Sequence, residues 1–341
     1  MSDDTEEPEI GTANTMRERA GESHLKLRVL LRTNRLVITA ILTVFVFVSF
    51  VGVVSVLEPP FAQQVRSGDT LDSLFTTMIT VIVTGTTLVV TIGQLVLSQE
   101  NGPLGDQRER MSNAMDFREY TEELIGAPAP ADPSAFLREL VDLTEQRATE
   151  LRNSLGDEDD DELKREVDEF TDSVIGNSET VRDQLEGATF GSFNVLFAAL
   201  NYNYGWKIFQ VERLATDHAE SLSENQTALM EDLKTSLVMF GPAREHIKTL
   251  YFQWALIDLS QLILYAAIPA LTVAGIMVGV VEAATFPGTT LGIANILWVV
   301  GGAFAVTVVP FMLFVSYVIR IVTIAKRTLA IDPLILRDSQ R

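Results

Sequence analysis

The sequence predicts an all-α integral membrane protein: four transmembrane helices, with a cytoplasmic helical bundle inserted between the second and the third. Three observations lead there. Residues 36–57, 74–98, 259–281 and 293–319 contain no Asp, Glu, Lys, Arg or His. Each stretch supplies the roughly 20 residues that a helix rising about 1.5 Å per residue needs to cross a bilayer. The 341-residue chain is 47% hydrophobic, yet its 46 acids and 26 bases give a formal charge of −20. Residues 99–257 hold 32 acids and 14 bases, so 14 − 32 = −18 of that charge lies in one polar region. Strand-like alternation is almost absent, whereas apolar residues recur at helical spacing.

In chain order, residues 1–23 are polar and acidic without apolar periodicity, and read as a disordered tail. Residues 24–98 follow as a basic juxtamembrane segment and two spans. Lys26, Arg28, Arg32 and Arg35 interleave with leucines, the pattern of a short helix lying on a membrane surface. The first span (36–57) is too long for a secretory signal, and no small-residue cleavage site precedes Glu58-Pro59-Pro60.

The second span (74–98) carries a polar stripe. Ser73, Thr77, Thr80, Thr84, Thr87, Thr91, Gln94 and Ser98 follow at steps of four and three residues, so they share one helix face. Two readings fit. The stripe lines a water-filled path, with Asp72 and Glu100 as acids at its mouths, or it serves helix packing while its hydroxyls bond back to their own backbone. Glu100-Asn101-Gly102-Pro103 ends the span.

The acidic region, 99–257, reads as a series of helices. The first is Arg108–Ile125, followed by the extended linker Ala127–Pro133. The second is Ser134–Leu155. The third, Leu163–Leu185, has a heptad seam of Leu163, Val167, Phe170, Val174, Val181 and Leu185, interrupted at Asn177. Phe190–Leu214 reads as one broad-faced apolar helix, either the core of the bundle or a helix against headgroups anchored by Tyr202, Tyr204 and Trp206. A helix over Ser221–Phe240 is expected to break at Gly241-Pro242. The next helix should run without a stop into the third span, within residues 258–325.

That span (259–281) has a kink candidate at Pro269 and a close-packing pair, Gly275 and Gly279. The fourth (293–319) has Gly301 and Gly302 and a second kink candidate, Pro310. Residues 326–341 form a tail. Six, 14 and five Lys or Arg flank the spans on one side, and one and none lie in the loops on the other. The short flanks decide orientation, so both termini and the bundle are expected in the cytoplasm, with the protein in the cell membrane.

No cysteine and only three scattered histidines are present, so neither disulfides nor a zinc site is expected. The acid run Asp157–Glu162 lacks the glycine and glutamate spacing of an EF-hand. Phosphate-loop, dinucleotide, nucleophile-elbow and zincin motifs are missing, so neither catalysis nor a cofactor is expected. The charge balance excludes a nucleic-acid partner. The acid excess resembles that of proteins from salt-loving archaea, which makes such a host the expectation. The spans contain no ionisable residue, which argues against an ion-coupled carrier. A passive pore needs none, but one four-span subunit cannot enclose it. The functions left standing are a homo-oligomeric channel lined by the Thr face and modulated by the bundle, or a non-catalytic membrane-anchored scaffold or sensor whose bundle binds a cytoplasmic protein. The lipid bilayer is a partner in both.

Overall fold

The computed structural model describes residues 29, 33–58, 60–67, 69–100, 102–156, 159–188, 193–282 and 284–328. The acidic tail, Lys26, Arg28, Arg32, Asp157, Glu158 and the tail beyond residue 328 lie outside these. The chain divides into two units. One is acidic and contains Pro103–Phe252. The other is apolar and joins Arg28–Gly102 to Gln253–Ala325.

The apolar unit is built from α1 (Arg35–Val56), α2 (Phe61–Ser67), α3 (Thr70–Glu100), the second part of α9 (Glu224–Gly279), a hairpin of β1 (Thr289–Thr290) and β2 (Ile293–Ala294), and α10 (Asn295–Thr328). By length and composition α1, α3, α9 and α10 can each cross a membrane. Asn34 caps α1, its side chain accepting from the Leu36 amide at 2.9 Å. The core forms along the helices in separate clusters. Val51, Phe75, Ala274, Leu297 and Val300 make one. Val89, Leu259, Ile263 and Leu313 make another, and Ile82, Ala267 and Ala270 a third.

Helices of this composition approach most closely where side chains are small. A Cβ on Gly301 would stand 2.5 Å from Val51 Cγ2, and one on Gly93 would stand 3.2 Å from Ser260 Oγ. Gly275 and Gly279, expected to be the close-packing pair, meet nothing within 4 Å in their own chain. Arg35 also departs from expectation. It is only 4% exposed rather than on a surface, because its guanidinium satisfies carbonyls. It donates to Thr33 O at 2.7 Å and to Ser316 O of α10 at 3.1 Å. Thr39 and Ser316 join their hydroxyls beside it at 3.1 Å.

The acidic unit comprises α4 (Leu104–Ile125), α5 (Pro133–Asn153), α6 (Asp161–Leu185), α7 (Phe193–Leu200), α8 (Tyr204–Asp217) and the first part of α9. Its sequence sets most of the helix ends. Gly126, at φ 73°, closes α4. Asp132 caps α5 through the amides of Ser134 and Ala135, with Pro133 at the first position. From the acid run, Asp160 caps α6 through Glu162 N at 3.1 Å. Ser223 and Gln226 bond reciprocally at the start of α9, a capping box. Arg118 donates to the carbonyls of Ala129 and Pro130, and Glu122 accepts from Ala129 N at 3.1 Å, so the proline-rich linker is tied back onto α4. Leu137, Leu140, Leu151, Leu163, Phe170, Leu185, Leu196, Tyr202 and Phe240 are fully buried.

Two expected boundaries are overturned here. The apolar stretch around 190–214 is two helices, α7 and α8, parted at Asn201–Asn203. Tyr202 and Tyr204 are core residues rather than membrane anchors. Conversely, Gly241-Pro242 does not end a helix, and α9 continues through it from Glu224 to Gly279. Tertiary packing decides both cases. Asn201 leaves the helix to join a buried polar network, described below. Gly241 lets the Tyr204 ring lie against the helix, with a Cβ there only 3.1–3.3 Å from ring atoms and hydroxyl. That contact offsets the single backbone bond which Pro242 removes.

Candidate functional site

Helix α3 has three longitudinal surfaces. Leu71, Phe75, Ile82, Val89 and Val96 are buried against the unit's own helices. Val81, Leu88, Ile92 and Leu95 form an exposed apolar surface on one flank of the polar stripe, and Val83 is exposed on its other flank. Thr77, Thr80, Thr84, Thr87, Thr91 and Gln94 are all exposed as well. None of the other apolar helices covers them. The outward side of α1, by contrast, is apolar over most of its length, with Val37, Ile41, Val44, Phe45 and Val48 exposed and one exposed hydroxyl, Ser55, near its end.

Within the stripe the hydroxyls bond back one turn. Thr77 donates to Ser73 O at 2.7 Å and Thr80 to Thr76 O at 3.1 Å. Thr87 donates to Val83 O and Thr91 to Thr87 O, each at 2.9 Å. Such bonds keep a polar face tolerable against lipid, protein or water. Asp72 stands exposed in the first turn of α3. Glu100 is the helix's last residue, and its side chain lies outside the described set. Pro269 and Pro310 sit inside the continuous helices α9 and α10.

The acidic unit holds polar sites that periodicity alone did not single out. At the break in the α6 seam, Asn177 is buried. Its Nδ2 donates to Asn201 O at 2.9 Å, and its Oδ1 accepts from Lys207 Nζ at 2.8 Å. Asn201 in turn donates to Gln184 Oε1 at 2.7 Å. Lys207 is 2% exposed and lies 4.9 Å from the centroid of the Tyr202 ring. Burial pushes the Tyr202 phenol well above its ordinary range. The clue in the sequence was Asn177 itself, the one polar residue where the seam called for an apolar one.

Elsewhere in this unit, Glu166 pairs with Arg213 at 3.3 Å and with His218 Nε2 at 3.2 Å, largely out of solvent. An open cleft of about 420 Å³ is lined by Asp142, Glu145, Gln146, Thr149, Glu150 and Arg182. Arg182 bridges Asp142 at 2.7 Å and Glu145 at 2.6 Å, and the bond to Asp142 holds the guanidinium above its usual value. Gln146 and then Arg147 hold the Glu150 carboxyl below its usual value.

No curated protein and no solved structure matches the chain. A family profile does match, across residues 1–341, and the protein belongs to that family, DUF7972, a family of unknown function.

Proposed function

We propose that the chain crosses the cell membrane four times, with its termini and acidic unit in the cytoplasm, and assembles with copies of itself into a pore lined by the Thr face of α3. The carrying observation is the contrast between outward faces: α1 exposes only apolar residues over 36–54, with Ser55 near its end, whereas α3 exposes a file of hydroxyls along its length that no described helix of its own chain covers. A lipid-facing helix gains nothing from such a file, whereas a subunit seam or an aqueous lining does. Helix α9, common to both units, offers a route by which the acidic unit modulates the pore. The acid excess supports a setting in concentrated salt, in the membrane of a salt-loving archaeon.

The absence of native cysteine makes the test direct. In liposomes, a membrane-impermeant thiol reagent labels single cysteines at Thr80, Thr84 and Thr87 but not at Val81, Val83 and Leu88. Both sets are exposed in the single chain, so unequal labelling reports water against lipid. Thr84→Trp should abolish ion flux. Equal silence at all six positions would end the pore reading.

A second reading, a membrane-anchored scaffold, has its own support in α4. Leu104, Met111 and Met115 are 82%, 65% and 53% exposed at helical spacing. Under that reading Leu104→Asp with Met111→Asp abolishes partner binding, and Thr84→Trp leaves function intact.

A further inference from the structure

The hairpin between α9 and α10 turns through Leu291-Gly292, with Thr290 paired to Ile293 and Thr289 to Ala294. Both turn residues have positive φ, 54° for Leu291 and 78° for Gly292. That is the pattern of a two-residue turn normally filled by Asn-Gly. Leucine is poorly suited to it, because its Cβ crowds the following carbonyl. Among the described residues Leu291 is the one non-glycine with positive φ. It is also 87% exposed. In water this residue would be unfavourable twice over, through its backbone and through its side chain.

The surroundings place the tip. Asn295, the first residue of α10, donates through Nδ2 to Pro287 O at 2.8 Å and accepts from Thr290 Oγ1 at 2.7 Å. Trp298, one turn further on, donates from its indole to Thr290 O at 3.1 Å. The Trp298 ring lies 6.0 Å from that of Phe47 on α1. The hairpin is therefore folded back on the first turn of α10 rather than projecting away from it. The four steps from Leu291 to Asn295 span at most about 14 Å, and the indole bond holds Thr290 level with that first turn. Residues 283–294 carry no charge, so pairing with headgroup phosphates is not the mode of contact. A rigid turn presenting one leucine beside a hydrogen-bonded indole suits the headgroup–acyl boundary.

We propose that Leu291 is a lipid anchor, inserted into the interface of the leaflet opposite the acidic unit, where it fixes the depth of α10. The inference rests on the membrane-spanning reading and is independent of the pore. It is tested on the full chain in phosphatidylcholine–phosphatidylglycerol vesicles. Nitroxide labels are placed on Leu291→Cys, Val44→Cys and Leu104→Cys, and collisions with oxygen and with a nickel chelate are compared.

The label at 291 is expected to have a nickel-to-oxygen collision ratio several-fold below that at 104 yet above that at 44, which lies near mid-span. A ratio equal to that at 104 puts the tip in water and overturns the anchor. Loss of both collision rates at 291 means that protein covers the tip, and overturns it equally. Nickel access at 44 as well would overturn the spanning reading, and the anchor with it.

Discussion

The two units solve the problem of polar side chains in opposite ways. In the acidic unit Asn177, Asn201 and Lys207 are drawn inward and bonded to one another under a shell of leucines. In the apolar unit the stripe threonines of α3 are turned outward, and Thr77, Thr80, Thr87 and Thr91 bond to their own backbone. The first arrangement ties together two helices and a connection: α6, the start of α8 and the break between α7 and α8. The second ties nothing within the chain. Buried polar groups act as structural links where water surrounds the fold.

Substitutions can break this contrast, and the largest effect is expected inside the acidic unit. Asn177→Leu removes the acceptor of a buried ammonium and the donor to Asn201 O, and should cost about 3 kcal/mol in the acidic unit's thermal or denaturant unfolding. Adding Lys207→Met should recover most of that loss, since an apolar pair of similar volume leaves no charge stranded. If the double variant is no better than the single, the network is not what holds the α7–α8 break.

Next comes the apolar unit's own packing. Gly301→Ala forces a methyl against Val51 and should cost about 2 kcal/mol of stability in detergent. Gly275→Ala should be neutral in the monomer, because nothing lies within 4 Å. A drop in oligomer content on size-exclusion chromatography for Gly275→Ala would instead assign that glycine to a subunit seam.

The smallest effect is at the α5 cap. The Ser134 hydroxyl, then the Ala135 amide, hold the Asp132 carboxyl below its ordinary value. Its folded-state value is thus depressed, so its contribution is present above about pH 4 and fades as pH falls through the native value. Asp132→Ala should cost about 1 kcal/mol at neutral pH. Solvent screening keeps the pH-dependent part to a fraction of that. The variant should therefore unfold in acid with a slightly shallower pH dependence, measurable by circular dichroism.

The legible parts of the sequence were those governed by one helix at a time. Long uncharged stretches are apolar whatever their neighbours, and the Thr spacing reads directly as a face. The starts expected at Ser134 and Leu163 fall one and two residues inside the observed helices, whose caps, Asp132 and Asp160, read only as linker and acid run. What stayed hidden depends on partners distant in sequence. Apolar periodicity runs straight through Asn201–Asn203, so only the buried bonds of Asn201 reveal the break. Gly241-Pro242 carries every local sign of a stop, yet Tyr204 packs against it and the helix goes on. Gly275 and Gly279 have the familiar spacing. Within the expected spans the glycines that do meet a neighbour are Gly93 and Gly301, which stand in no such pair, because closeness is set by the facing helix. Arg35 reads as a surface cation until Ser316, 281 residues away, supplies its carbonyl.

The inward bonding of the α3 hydroxyls also determines what that face can recognise. Thr77, Thr80, Thr87 and Thr91 each commit their single proton to a carbonyl one turn back, so what points outward from those oxygens is lone pairs alone. Two such stripes set against each other would meet lone pair to lone pair, and their cohesion would have to come from shape and dispersion. A proton-donating water or a partly dehydrated cation would find a welcoming oxygen at each of these four positions.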